Sequence, residues 1–200
     1  MTTTPCAGLL LTGGASRRFG TPKAEVRIDG ERLADRTARV LSAIAVPVLE
    51  VGPGSSTLDA VREAVPGSGP LAGVAAGGAA LAARGAGERP ALVLAVDLPF
   101  VDPALLRALA DAPPADAVVP RVDGRAQSLC ARYSPAALTR AAELVDAGER
   151  SMRGLLDALV DELVVRWIDE PEWSAVTTPQ CFVDIDTPDD ARRVGLQGPG

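Results

Sequence analysis

Potential chemistry is concentrated in one stretch, Leu9-Leu10-Leu11-Thr12-Gly13-Gly14-Ala15-Ser16-Arg17-Arg18-Phe19-Gly20-Thr21-Pro22-Lys23. An apolar run breaks into a glycine-rich loop with two adjacent arginines, and the loop closes on Lys23, the only lysine in the chain. A compact ammonium makes contacts that a planar guanidinium does not, so a composition otherwise committed to arginine marks this position. Glycines let a backbone approach a ligand closely, and successive loop amides form a concave anion site. Amides, two guanidiniums and one ammonium together suit a polyphosphate, which points to a nucleotide at the carboxyl end of the first strand. The spacing matches neither G-x-x-x-x-G-K-[ST] nor G-x-G-x-x-G.

A second candidate is Asp97, at the mouth of the apolar run Ala91-Leu92-Val93-Leu94-Ala95-Val96. A carboxylate there must be paired, hydrogen-bonded or bound to a metal, because burying it bare is costly. It could cap the next helix, but Asp102 already suits that role, which leaves Asp97 to hold a Mg²⁺ bridging phosphates. Asp184 and Asp186 are two residues apart and would share a face of a strand. They could complete a divalent site, orient a second substrate, or serve the helix entry at Thr187-Pro188. Gly69-Pro70-Leu71-Ala72-Gly73 could wall a flat nucleobase, or could need its glycines only for the turn.

Composition narrows the chemistry further. With no histidine, Ser-His-Asp and Cys-His catalysis and most catalytic zinc sites are excluded. Acid–base and metal work then falls to carboxylates and an oxygen-loving cation. A net charge of −6 argues against nucleic acid, which needs a broad basic face. Cys6, Cys130 and Cys181 read as small buried hydrophobes in a reducing compartment. The longest small-apolar stretch, Leu71 to Ala83, is too short to cross a bilayer. With no basic residue before the first apolar run, no signal peptide is expected, and the expected location is the cytoplasm.

These residues need a scaffold, and strands alternate with helices along the chain. Strands are expected at Cys6–Thr12, Val26–Ile28, Pro47–Val51, Ala91–Val96, Leu163–Ile168 and Phe182–Ile185. Ala117–Arg121 and Ala126–Arg132 should form a hairpin about Asp123-Gly124. Helices are expected over Arg32–Ile44, Leu71–Ala83, Asp102–Asp111, Ser134–Ala147 and Ser151–Val160, with a last one from Thr187. Leu58–Val65 mixes a helical turn with a short strand, and residues 197–200 should fray. The pattern predicts an α/β fold, three-layered and Rossmann-like, with a mostly parallel sheet and one antiparallel hairpin. Ligands of such sheets sit beyond the carboxyl ends of the strands, which selects the Gly13–Lys23 loop and Asp97.

The ordered set of motifs resembles the molybdenum cofactor guanylyltransferases (MobA-like), within the nucleotidyltransferase fold shared with sugar-nucleotide pyrophosphorylases. Leu11 to Gly20 resembles that family's L-x-G-G-x-S-x-R-x-G, with Lys23 at its lysine. Gly69 to Gly73, Asp97-Leu98-Pro99-Phe100 and Asp184-Ile185-Asp186-Thr187-Pro188 resemble its later motifs. Gly124-Arg125-Ala126-Gln127 and Gly148-Glu149-Arg150-Ser151 resemble weaker ones. Thr12, Pro22 and Ser128 depart from the common alanine, aspartate and proline.

The resemblance implies one nucleotidyltransferase domain over residues 1–200 that moves GMP from GTP to the terminal phosphate of molybdopterin and releases pyrophosphate. It assigns Lys23 and Arg18 to the triphosphate and Asp97 to Mg²⁺. Leu11, Thr12, Gly13, Gly14, Ala15, Ser16, Glu63, Gly69, Pro70, Leu71 and Gly73 would hold the nucleotide, with Gly13-Gly14 favouring guanine. Residues after Arg121, with Asp184 and Asp186, would face the pterin. It also implies transient contact with molybdoenzymes or cofactor-insertion proteins. The alternatives are a relative using CTP or a sugar or polyol phosphate, and a nucleotide-binding adaptor without turnover.

Overall fold

The computed structural model describes residues 5–13, 22–63, 65 and 67–185. The helix expected from Thr187 and the tail at 197–200 lie outside these residues. The apolar runs become central strands: β1 (Ala7–Leu11) and, later in the chain, Ala91–Ala95 are buried along their whole length. After β1 come β2 (Arg27–Ile28), β3 (Glu31–Arg32), α1 (Leu33–Ser42), β4 (Val48–Val51), β5 (Asp59–Val61), α2 (Pro70–Ala83), β6 (Ala91–Ala95) and α3 (Pro103–Asp111). Then follow β7 (Ala117–Val122), β8 (Arg125–Ala126), β9 (Cys130–Tyr133), α4 (Pro135–Asp146), α5 (Met152–Glu162), β10 (Val165–Ile168) and α6 (Glu170–Trp173).

The main sheet runs β10-β7-β9-β6-β1-β4-β5, with β8 on β7. The block from β6 to β5 is parallel, as is the pair β10–β7. β9 is antiparallel to both of its neighbours. The antiparallel part therefore extends past the expected hairpin: β8 ends at Ala126, and β9 turns away to lie between β6 and β7.

Alternate residues of each strand point to opposite faces, and two apolar layers result. Leu10, Leu92 and Leu94 pack with α1 and α3 on one side. Leu9, Leu11, Ala91 and Val93 pack with α2, α4 and α5 on the other. Helix α2 lies close on the sheet because Gly77 has no side chain; a β-carbon there would stand 2.8 Å from both methyls of Leu9. Buried Arg132 of β9 donates to the carbonyls of Ala110, Ala112 and Pro113, each at 2.8 Å, and so closes the carboxyl end of α3.

Two Asp-Gly pairs, Asp29-Gly30 and Asp123-Gly124, hold positive φ at both residues, the geometry that joins β2 to β3 and β7 to β8. Three local expectations are corrected. Phe182–Ile185 is not a strand: Pro179–Phe182 forms a 3₁₀ turn opened by proline, and residues 183–185 run on without a strand partner. Residues 58–63 hold β5 but no helical turn. The helix expected to reach Ile44 ends at Ser42. The three cysteines are free and buried, and burial pushes the Cys130 thiol up to about 12, which fits the structural role expected of them.

Candidate active site

Register aligns Leu11 with Val51 on one side and with Ala95 on the other, so the chain after β1, β4 and β6 emerges at one edge. The Thr12 amide donates to the Val51 carbonyl at 3.1 Å and the Val96 amide to the Leu11 carbonyl at 3.0 Å, extending the pairing past the strands. A cavity of about 300 Å³ opens there. Of the residues expected to hold a nucleotide, Leu11, Thr12, Gly13, Lys23, Glu63, Gly69, Pro70, Gly73 and Asp97 all line it. Val51, Gly67 and Leu129 line it too, with no signal in the sequence to select them. Gly14, Ala15, Ser16, Arg17, Arg18, Phe19, Gly20 and Asp186 lie outside the described residues.

Lys23 opens a single 3₁₀ turn, Lys23–Glu25, packed beside α1. Its Nζ donates to Asp97 Oδ2 at 3.1 Å, with the two side chains 17% and 29% exposed. Asp97 is not a helix cap: Asp102 Oδ1 accepts from the Leu105 amide at 2.8 Å and caps α3. Asp102 Oδ2 also accepts from the Thr177 hydroxyl at 2.7 Å. Burial would raise the Asp102 carboxyl, but these donors, the Leu105 amide foremost, hold it below the usual aspartate value.

Asp97 also lines a second cavity, of about 650 Å³, with Val122, Asp123, Arg125, Gln127, Ser128, Phe182 and Asp184 among its walls. Asp97 is thus shared between the two cavities. Asp184-Ile185, the described part of the motif, acquires a physical role here. Ile185 is fully buried and its amide donates to the Asp97 carbonyl at 3.0 Å, which holds Asp184 at the rim of the second cavity. Arg121 faces elsewhere, forked onto Asp169 through two 2.8 Å bonds and stacked over Trp167.

On the far side of the first cavity, α2 begins at Gly69, whose φ of 95° favours glycine. A β-carbon there would come within 2.7 Å of the Arg150 carbonyl, which also accepts from the Leu71 amide at 3.4 Å. Glu149 stiffens that loop: its Oε1 accepts from the amides of Ser151 and Arg150 and from the Ser151 hydroxyl at 2.7–2.9 Å, which holds its carboxyl low. The Gly148–Ser151 motif is therefore a brace behind the start of α2. The Leu71 side chain is fully buried in the core and does not line the cavity, which leaves only its backbone to face a ligand. Glu63 stands opposite the first turn of α2. Its Oε2 accepts from the Gly67 amide at 3.1 Å, and its Oε1 is 3.1 Å from where a Gly73 β-carbon would lie.

Thr12 differs from the expectation in one respect: its hydroxyl donates at 2.5 Å to Glu50. The sequence clue to Glu50 is slight: a lone acid within Val48-Leu49-Glu50-Val51, just before the donor-rich Gly52–Ser56.

Among the described residues no three of His, Cys, Asp and Glu are grouped to enclose an ion. Asp97 already receives a cationic ammonium, and Asp184 faces the same second cavity. One or two carboxylates with room for phosphate oxygens and water fit a divalent cation held jointly with a substrate, not one caged by protein alone.

No helix among the described residues is long and apolar enough to cross a membrane. The family described as the MobA-like NTP transferase domain matches residues 8–163. A protein of Opitutus terrae named "Probable molybdenum cofactor guanylyltransferase" is 41% identical over 83% of this chain and 85% of its own length. A protein of Chloroflexus aggregans with the same name is 36% identical over 94% and 92%. The crystal structure of molybdopterin-guanine dinucleotide biosynthesis protein A from Archaeoglobus fulgidus superposes with a TM-score of 0.76 at 24% identity, covering 94% of this chain and 95% of that one. With its parallel β1-β4-β6 edge, its paired cavities and this match, the chain belongs to the MobA-like NTP transferase family.

Proposed function

We propose that this chain transfers GMP from GTP to the terminal phosphate of molybdopterin, forming the guanine dinucleotide cofactor and releasing pyrophosphate. The observation that carries the reading is that Asp97, paired with Lys23, is common to two cavities. A nucleotidyl donor in one and an acceptor in the other would meet at that carboxylate. In this reading Gly13 and the Gly69–Gly73 turn frame the guanine, Leu11 and Thr12 belong to the wider nucleotide site, Glu63 lies by the ribose, and Lys23 takes up triphosphate charge. Residues 122–128 with Asp184 face the pterin; Arg18, Gly14, Ala15, Ser16 and Asp186 keep the roles the resemblance implies.

The acceptor phosphate is itself the nucleophile, so attack on the α-phosphorus needs no protein base and no covalent intermediate, in keeping with a chain that has no histidine. The protein's task is to align two substrates and neutralise the charge between them. Mg²⁺ held by Asp97 would add charge neutralisation at the phosphates when bound. We assign the activity to one unit in the cytoplasm, which passes its product to molybdoenzymes or cofactor-insertion proteins by transient contact.

The test is Mg²⁺-dependent pyrophosphate release with molybdopterin as acceptor, comparing GTP, CTP and ATP. Selective release from GTP is expected, slowed by roughly 10²–10³-fold in Lys23→Ala and in Asp97→Asn. Turnover with CTP alone overturns the base assignment. Silence with all three overturns the reaction.

A further inference from the structure

Glu50 is fully buried on an otherwise apolar strand, opposite Leu10 of β1, yet it does not line either cavity of the candidate site. Its carboxylate accepts five hydrogen bonds from two segments. The Thr12 hydroxyl at 2.5 Å and the amides of Gly54 at 2.9 Å and Ser55 at 2.6 Å reach Oε1. The Ser56 amide at 2.7 Å and its hydroxyl at 2.6 Å reach Oε2. Burial by itself would raise this carboxyl, and the donors, led by the Ser56 and Thr12 hydroxyls, hold it below the usual glutamate value.

The two segments so joined are the end of β1 and the β4–β5 connection. Between them, the Val51 carbonyl accepts from both the Thr12 and Gly13 amides, at 3.1 and 3.4 Å. The Gly52 amide donates to the Val61 carbonyl at 2.9 Å, and Glu63 follows two residues later. Fixing Gly54–Ser56 against Thr12 therefore fixes Leu11, Thr12, Gly13 and Glu63 relative to one another, and these form one wall of the first cavity. An ionised carboxylate is acceptor-only and meets every donor; a glutamine would turn an amino group toward some of them.

We propose that Glu50 is a positioning residue for the nucleotide, setting from behind the wall the spacing between the β1 end and Glu63. The proposal rests on the reading of the first cavity as the nucleotide site. Its test uses Ser56, which lies outside both cavities. In Ser56→Ala the nucleotide Kd and KM should rise about tenfold, the size of one hydrogen bond to a charged group expressed as an equilibrium constant. The kcat at saturation should stay within about twofold of wild type, and Ser56→Thr, which keeps the hydroxyl, should restore affinity. Glu50→Gln should show a larger rise in Kd. Binding is measured by calorimetry with GTP, CTP and ATP on the full chain, beside thermal melts. If Ser56→Ala melts earlier but binds the preferred nucleotide as wild type does, Glu50 only stabilises the loop and the proposal is overturned. A preference for CTP overturns the guanylyl reading alone, and the Ser56 comparison made with CTP still decides the role of Glu50. A wild-type chain that binds none of the three overturns both.

Discussion

Replacing Lys23 by glutamine should strengthen the binding of a divalent cation while weakening turnover. The ammonium lies 3.1 Å from Asp97 Oδ2, the carboxylate proposed above to hold the cation. Any cation reaching Asp97 without a nucleotide must therefore displace or oppose that charge. At the effective dielectric suited to such sites, unit charges about 4 Å apart interact by about 4 kcal/mol before desolvation is counted. Exposed pairs retain only about 0–1 kcal/mol. With Lys23 17% and Asp97 29% exposed, the pair falls between these limits. We take about 1–2 kcal/mol, or about 5–30-fold in affinity. The assay is a Mn²⁺ titration of nucleotide-free protein, following the free-ion signal by electron paramagnetic resonance, with wild type, Lys23→Gln and Asp97→Asn. Affinity should rise in Lys23→Gln and fall in Asp97→Asn, while pyrophosphate release falls in both. Equal or weaker Mn²⁺ binding by a folded Lys23→Gln protein would refute the idea that the ammonium occupies the cation's position.

Three further outcomes are expected. Gly73→Ala adds a β-carbon 3.1 Å from Glu63 Oε1 and 3.5 Å from a Leu11 methyl. Because alanine favours helices over glycine by about 1 kcal/mol, thermal stability should hold while the KM for GTP rises. Arg132→Met strips three carbonyls of their donor and should cost about 2–4 kcal/mol in urea unfolding, with the m-value unchanged. The Glu50 and Asp102 carboxyls are both depressed from unfolded values of 4.5 and 3.8. The stability they contribute is complete above those values and is lost as pH falls through the lower folded ones. Melting temperature should therefore drop on acidification, and Glu50→Gln should have a shallower acid limb than wild type.

Much of the scaffold was legible because local chemistry specified it. β1 and β6 announce themselves as continuous apolar runs, and Asp102-Pro103 and Ser134-Pro135 are read as helix starts and found as such. Lys23, Asp97, Gly69 and Gly73 converge on one cavity because strand ends in a parallel sheet face one edge. What was not legible depends on distant partners. The wedging of β9 between β6 and β7 is a matter of strand order, which no window of residues encodes. The β2–β3 hairpin carries the same Asp-Gly signal as β7–β8, but strands of two residues leave no alternation to read. Phe182–Ile185 has strand-like residues and, among the described residues, no strand to pair with. Glu50 looks like a stray acid until the five donors around it are seen.

The position of β9 also bears on how the sheet is assembled during synthesis. β6 and β7 are joined through α3 and point the same way, so their connection alone would allow them to pair directly as parallel neighbours. They do not, because β9, made after both, takes the space between them. Until residues 130–133 leave the ribosome, one side of β6 is an open edge, capable of pairing with its own successor or with another nascent chain. The middle of the sheet is thus filled late, with only β10 still to join at the β7 edge, and the strand that fills it, Cys130-Ala131-Arg132-Tyr133, is buried at every residue.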